Sequence, residues 1–563
     1  MGNVPLGFSP LVVARCLFWG LVVAGALMAG TDRHVREPIR RNSRYLLLVI
    51  LVTLVWRFPT GRVFFLGMEY EDAYVYTVAA RQLVEGTHVA QSTANYLTTV
   101  CDVGSLRTCQ SATTYSGHYI GSPYVVSLAA RVLGYQPAIA ALVGIAAACA
   151  TVVMIFLIAR MLSGDELVGI VSAAVFAMTP VFAVHGIAAY AEPVSNMCVT
   201  VGFCAYLRFL YFRPTEKSSV ASVAALYTWC AALLFAILVK RENLVLAFVL
   251  PLVSIVRVAA SCDLKTTWCR VGAASLGSVI AIAFAAVPLR FGEVFLNETA
   301  EFHRIPFGLE QVRSFLPVFL SSFGVTSWYC LGLVWVLVGV FLIRRCDYRA
   351  LYPLLVIIAY LGLYVSHVRS FYQVNYGDVA PSDALRYSMN FMTMWSLLAG
   401  TGLAYVVRRC RGVRNRMRWR SAGVTVALVI HGAIAYVYTT ALRDELTSEE
   451  QRTRVEPSVV ASQIATAMGS SDTYVVTLEP LVLQMYGPPT VNVIELTRVN
   501  DQLIAELVAR HEHLNLLYLD SAIYRNQIDQ NRYRPQLEVL RRLKRESLYR
   551  SDQFEIVKLH PRL

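Results

Sequence analysis

The stretch GMEYEDAYVYTVAARQLVEG, residues 67 to 86, places Glu69, Glu71 and Asp72 within four residues at the start of an amphipathic, helix-like segment. Carboxylates grouped in this way can complement the dipole and cap the free N–H groups of the helix they open. Alternatively, one of them can take a proton from an attacking hydroxyl as a general base. Farther on, Glu192 precedes Pro193 in HGIAAYAEPVSNMC, and Lys240, Arg241 and Glu242 interrupt two apolar runs in AILVKRENLVLAF. An ionisable residue at the mouth of a membrane helix is either a helix-start cap or a functional group. The cation pair suits an anionic phosphate, which Arg grips in bidentate fashion and Lys binds as a point charge. Snorkelling to headgroups and an internal ion pair with Glu242 are its alternatives. His118, in TTYSGHYIGSPY, faces either a substrate or solvent. The segment HVRSFYQVNYGDVAPSDALRYSMNF mixes Tyr, Asp and Arg and returns to an apolar run at Arg386 and Tyr387. That mixture fits a sugar-binding or lid loop, and equally an interfacial aromatic belt.

The elements that must position these groups are membrane helices. Of 563 residues, 56% are hydrophobic and only 15% charged, too apolar for a soluble chain of this size. About twelve apolar runs approach or exceed the ~18 to 20 residues needed to cross a bilayer. They cover roughly 9–30, 45–58, 138–160, 167–184, 193–211, 220–239, 243–257, 271–289, 316–343, 350–366, 391–407 and 421–440. The first lacks a basic leader and contains Arg15, so it reads as a retained helix and not a cleaved signal.

Lys and Arg collect on alternate connections: TDRHVREPIRRNSR, the turn at Arg213 and Lys217, the loop with Arg257, Lys265 and Arg270, the Arg344, Arg345 and Arg349 turn, and RRCRGVRNRMRWR. By the positive-inside rule these face the cytoplasm. Glu71, Glu192, the KREN turn and everything after about 441 then lie outside. The formal charge of +13 is explained by topology and anionic headgroups, with no nucleic-acid partner.

The loop from about 59 to 137 is too long for a connector. It reads as two membrane-surface helices, the first opened by the acidic cluster, the second starting after Ser122 with Pro123 and ending at Gly134. Cys101 and Cys109 between them are close enough to form a structural disulfide, or stay reduced. After 441 the hydropathy falls. Strand-like YVVTL, VNVIEL, NLLYLD and FEIVKL alternate with helix-like 500–511 and 533–547, the pattern of a small α/β domain with a parallel sheet. No Gly-rich loop follows its first strand, which argues against nucleotide binding. His511-Glu512-His513 reads as a solvated helix end, not a metal site.

In their order and shared sidedness these parts resemble the membrane-embedded C-type glycosyltransferases, in the branch of protein O-mannosyltransferases and lipid A aminoarabinose transferases. The resemblance rests on Glu71-Asp72-Ala73-Tyr74 at the start of the first surface helix and on GHYIGSPY, with His118 and Tyr119, before the second. It continues with Tyr190-Ala191-Glu192-Pro193, Arg241-Glu242, Arg386-Tyr387 and a tail beginning VVTLEP. The usual acidic pair is Asp then Glu, whereas here Glu71 precedes Asp72, so the resemblance leaves the identity of the base open. No Trp-Trp-Asp signature of oligosaccharyltransferases is present.

The resemblance implies a polytopic α-helical membrane fold with amphipathic surface helices and a small C-terminal α/β domain. It divides the chain into an added N-terminal helix and basic loop (1–44), a transferase membrane domain (45–440) with an external catalytic loop (59–137), and an extracytoplasmic tail (441–563). It implies a polyprenyl-phosphate-linked sugar donor and a lipid, glycan or protein acceptor hydroxyl, with transfer by inversion outside the cytoplasm in the bacterial plasma (inner) membrane. Glu71 or Asp72 is then the base. Tyr74, His118, Tyr119, Glu192, Lys240, Arg241, Glu242, Arg386 and Tyr387 bind substrate. Carboxylates beside phosphate suit Mg²⁺ or Mn²⁺ by hardness, and the sequence leaves the metal undecided. The alternative is a transporter or flippase of a lipid-linked sugar, which places ionisable groups near the middle of spans and uses paired broken helices.

Overall fold

A computed structural model of the chain describes residues 10–57, 120–136, 138–184, 191–211, 219–259, 265–291, 351–363, 381–409, 416–446, 456–468, 473–477, 492–496, 499–510, 513–521, 530–551 and 554–560, with isolated positions between them. The chain forms two compact units, one of residues 1–67, 119–125 and 140–446, the other of 68–118, 126–139 and 447–563.

In chain order, α1 (Pro10–Thr31), α2 (Arg33–Arg41) and α3 (Ser43–Arg57) of the first unit are followed by α4 (Gly121–Leu133) and α5 (Ala138–Ser163), whose residues 126–139 belong to the second unit, and by α6 (Glu166–Ala177) and α7 (Pro180–Val184) of the first. Then come α8 (Glu192–Tyr211), α9 (Ser219–Val239), a 3₁₀ turn (Arg241–Leu244), α10 (Val245–Ala259), α11 (Lys265–Phe291), α12 (Leu351–Leu363), α13 (Pro381–Arg409) and α14 (Arg416–Leu446). Among the described residues, Val12–Thr31, Ala138–Ser163, Glu192–Tyr211, Val220–Val239 and Ala422–Thr440 are long and apolar enough to cross a membrane. The expected span at 316–343 lies outside the described residues except for Val336, which is helical and buried.

Burial separates the centre of this bundle from its rim. In its most apolar window α8 is 83% buried, whereas the corresponding window of α14 is 11% buried. Leu47, Leu48, Leu51 and Val55 on α3, and Val426, Val429, Ile430 and Val437 on α14, are exposed. Apolar ridges of this extent are stable against lipid tails and not against water; the protein is an integral membrane protein.

The central helices are stapled by polar side chains. Tyr206, Ser254 and Tyr352 link α8, α10 and α12 through hydroxyl contacts of 2.6 Å, ending on the Leu250 carbonyl. Asp32 accepts from His34 N at 2.8 Å to start α2, and its other oxygen pairs with the buried Arg208 of α8. Packing of α6 on α13 depends on Gly400, because a Cβ there would overlap Ser172. The expected span 167–184 is broken: α6 stops at Ala177 and α7 restarts at Pro180, whose missing N–H cannot continue the ladder.

In the second unit, positions 76–77, 79–81 and 83–84 are helical, with Tyr76, Ala79 and Leu83 buried. Residues 126–136 pack against them: Arg131 Nη2 donates to the Leu83 carbonyl at 2.8 Å, and the Arg81 guanidinium lies 5.6 Å from the Tyr135 ring centre. Gly134, at φ 80°, takes the left-handed conformation that ends α4.

The tail folds as α15 (Glu456–Met468), β1 (Thr473–Thr477), β2 (Asn492–Glu495), α16 (Asp501–Arg510), β3 (Asn515–Ser521), α17 (Gln530–Arg541), β4 (Lys544–Arg550) and β5 (Phe554–His560). The sheet order is β2-β1-β3-β5-β4. The first three strands are parallel, but β5 runs antiparallel to both β3 and β4, so the expected all-parallel sheet is a mixed one. Alternation along β1 explains its two cores: Tyr474 and Val476 meet Leu503, Leu507 and Leu540 on one face, while Val475 meets Val460 and Ile464 on the other. The expected helix 533–547 ends at Arg541 and gives way to β4.

Candidate functional site

α9 ends at Val239, and Lys240 takes an extended conformation, φ −151° and ψ 125°, before the 3₁₀ turn. The break aims its side chain back into the bundle. Lys240 Nζ donates to Glu192 Oε1 at 2.8 Å, and Glu242 Oε1 lies 3.9 Å away. Glu192 opens α8 and is fully buried, and the Lys240 side chain is 9% exposed. Three of the residues singled out in the sequence are therefore one charge cluster, a cation held between two carboxylates. The internal ion pair foreseen for Lys240 is present, with Glu192 as its nearer partner and Glu242 the more distant.

The turn is held from three sides by Asn243, itself buried. Its Nδ2 donates to Ser195 Oγ at 2.8 Å and to the Ala236 carbonyl at 2.7 Å, while Oδ1 accepts from the Tyr360 hydroxyl at 2.6 Å. Asn243 thus ties α8, α9 and α12 to the turn that carries Lys240. Asn196 Nδ2 returns to the Glu192 carbonyl at 2.9 Å. The start of α4 approaches the same helix end, and a Cβ on Gly121 would come within 2.7 Å of the Leu238 carbonyl oxygen and Val239 Cγ2. Glycine at 121 is what permits that approach.

Of the remaining candidates, Glu71, Asp72, Tyr74, His118 and Tyr119 lie outside the described residues. Arg241 is in the 3₁₀ turn, and Arg386 and Tyr387 are in the first turns of α13; only their backbone is described. Cys101, Cys109 and the expected metal-free His511-Glu512 pair also fall outside. Sequence reasoning missed Ser195, Asn243 and Tyr360. A usable signal existed for the first: Glu192, Ser195, Asn196 and Thr200 recur at helical spacing on an otherwise apolar segment, the mark of a polar stripe turned inward. Tyr360 carried no such signal.

A divalent cation finds no fit among the described residues. They contain no group of three His, Cys, Asp or Glu side chains able to hold a metal, and the two carboxylates that do converge are on the Lys240 ammonium.

No protein-family model and no curated protein sequence matches the chain. Solved structures do. The chain is similar to ArnT from Cupriavidus metallidurans in the apo state, with a TM-score of 0.57 at 14% identity over 92% of this chain and 98% of that one. It is similar to the same protein bound to undecaprenyl phosphate, with a TM-score of 0.52 at 14% identity over 92% and 97%. It also resembles the oligosaccharyltransferase of Archaeoglobus fulgidus tethered with an acceptor peptide, with a TM-score of 0.50 at 11% identity over 90% of this chain and 72% of that one. What these likenesses show is a shared fold.

Proposed function

We propose that a chain with this fold is a glycosyltransferase that moves a sugar from a polyprenyl-phosphate-linked donor to an acceptor hydroxyl outside the cytoplasm. The observation that carries the reading is the likeness in fold over 92% of the chain to ArnT, which has also been solved with undecaprenyl phosphate bound. The α9 break supports it, because Lys240 is held there by the buried Glu192 and is followed in sequence by Arg241, the cation types that a phosphate leaving group needs.

In the proposed step the acceptor oxygen attacks the anomeric carbon from the side opposite the lipid. The new glycosidic C–O bond forms as the bond from the anomeric carbon to the phosphate oxygen breaks, inverting the centre. The acceptor proton passes to Glu71 or Asp72, and the electron pair of the broken bond leaves with the lipid phosphate. That leaving group needs no proton, only positive charge. Arg241 grips it, and Lys240 adds a point charge whose position is fixed by Glu192 and by Asn243 through the turn. Tyr74, His118, Tyr119, Arg386 and Tyr387 contact sugar or acceptor.

Two results test this reading. Losing a charge-assisted contact costs ~1.5 to 3 kcal/mol, so Arg241→Ala is expected to weaken binding of a non-transferable donor analogue by roughly ten- to a hundred-fold. Unchanged affinity sinks the assignment of Arg241. Single cysteines placed in the tail and beside Glu71 are expected to react with an impermeant thiol reagent in intact cells, because the basic loops put both outside. Protection of both, with cytoplasmic-loop cysteines labelled instead, reverses the orientation.

A further inference from the structure

Arg57 closes α3 where the chain enters its long loop, and its side chain is completely buried. Nη1 donates at 2.9 Å to the carbonyl of Ala177, the last residue of α6, and the guanidinium carbon lies 5.6 Å and 5.8 Å from the ring centres of Phe176 and Phe182. The cation therefore caps the carbonyl end of α6, where a helix dipole favours positive charge, and two ring faces attract it. This uses one nitrogen. Among the described residues Nε and Nη2 are buried with no hydrogen-bond partner, and the titratable group that acts on the guanidinium is the Cys149 thiol, not a carboxylate. A guanidinium stays protonated inside proteins, and a buried ion without a counter-ion is among the most costly groups a core can hold.

The two unfilled nitrogens share one edge of the planar group. Their N–H bonds run parallel, and this is the edge that grips two oxygens of an oxyanion as a fork. A cap alone requires neither, and a lysine would serve it as well. We propose that the Nε–Nη2 edge of Arg57 is an anion-binding site for a phosphate group, presented by a lipid headgroup or as free phosphate, at the junction of α3, α6 and α7. Phe182, part of its cover, sits on the five-residue α7, which the break at Met178–Thr179 separates from α6. That cover can shift without unwinding α6. The site shares no residue with the Lys240 turn and does not depend on the proposed transfer reaction.

The full chain in a neutral detergent is titrated with dihexanoyl phosphatidic acid and, separately, with inorganic phosphate while thermal unfolding is followed. The natural chain is compared with Arg57→Met, Arg57→Lys and, to remove phosphate bound at the other turn, Arg241→Gln. The expected result is a saturable rise in melting temperature for the natural chain and for Arg241→Gln. The apparent Kd is weakened about tenfold or more in Arg57→Met and more than twofold in Arg57→Lys, which keeps the charge and loses the fork. Ligand-free Arg57→Met is expected to melt no lower than the natural chain, because an uncompensated charge has been removed. A response to the lipid, to phosphate or to both names the source of the anion. The proposal is overturned if neither probe shifts the natural chain, or if affinity in Arg57→Met stays within twofold. If Arg57→Met does not fold, the same criterion is read on Arg57→Lys. A lower ligand-free melting temperature with unchanged affinity makes Arg57 a helix cap and nothing more.

Discussion

Replacing the true base by its isosteric amide, Glu71→Gln or Asp72→Asn, is expected to lower single-turnover transfer by ~10²- to 10⁴-fold, the usual contribution of general-base catalysis, with donor binding nearly intact. The amide keeps the shape and most hydrogen bonds of the carboxylate and removes only its ability to take a proton. The other position is expected to act through the helix it opens, since a lost cap costs ~0.5 to 2 kcal/mol. Helical spacing separates the two. On a regular helix, spacing would set Asp72 on the face of Tyr76 and Glu71 about 100° from it. Glu71 also stands first in the motif, where the resemblance places the base, although Asp72 matches the usual residue better in length. Glu71→Gln is therefore the variant expected to lose turnover. Near-native rates in both, each with normal folding and donor binding, leave the stretch as a capped surface helix.

The second large effect is structural in origin and functional in consequence. Glu192→Ala removes the nearer carboxylate from the buried Lys240 ammonium, and among the described contacts Glu242, 3.9 Å away, is left. Breaking a buried pair by removing one partner typically costs ~3 to 5 kcal/mol. With Glu242 still present, the lower end of that range is expected, read as a loss of melting temperature in detergent. Removing both charges is different. Glu192→Gln with Lys240→Met leaves no buried ammonium, and the carboxylate that loses its contact, Glu242, is partly exposed to begin with, so most of that stability is expected to return while transfer stays impaired, because the phosphate has lost a cation. A double variant that is stable and fully active contradicts the role given to Lys240. A Glu192→Ala protein as stable as the natural chain contradicts the buried pair itself.

The fold was legible where the signal was long-range or repeated. Apolar runs, alternating basic loops and the order of weak motifs together pointed to the C-type glycosyltransferase fold, and the likeness to solved structures agrees. Local detail was legible only where a residue type forces it. Gly134 marked the end of α4 and Pro123 its first turn, although the helix starts earlier, at Gly121, but a single apolar run hid the break between α6 and α7, since Pro180 interrupts a backbone ladder without altering hydropathy. β4 escaped because KRESLYR lies at the edge of its sheet, mostly exposed, so no period-two pattern was imposed on it. In the site, Glu192, Lys240 and Glu242 stood out as charges in apolar sequence. Their pairing did not, because it depends on how α8 and α9 meet 48 residues apart in sequence. Arg57 drew no notice at the end of the apolar run 45–58, and only its burial and the edge left unfilled by the described residues distinguish it.

The measurement that tests the central claim most directly is mass spectrometry of lipid retained by the purified protein. A glycosyltransferase that takes its sugar from a lipid phosphate is expected to carry a polyprenyl phosphate, or a polyprenyl phosphate bearing one sugar, whose mass fixes the donor class and the sugar together. That signal should fall in Arg241→Ala. A folded, natural-sequence preparation that retains only bulk phospholipids, and gives no thermal shift when polyprenyl phosphate is added, would contradict the account.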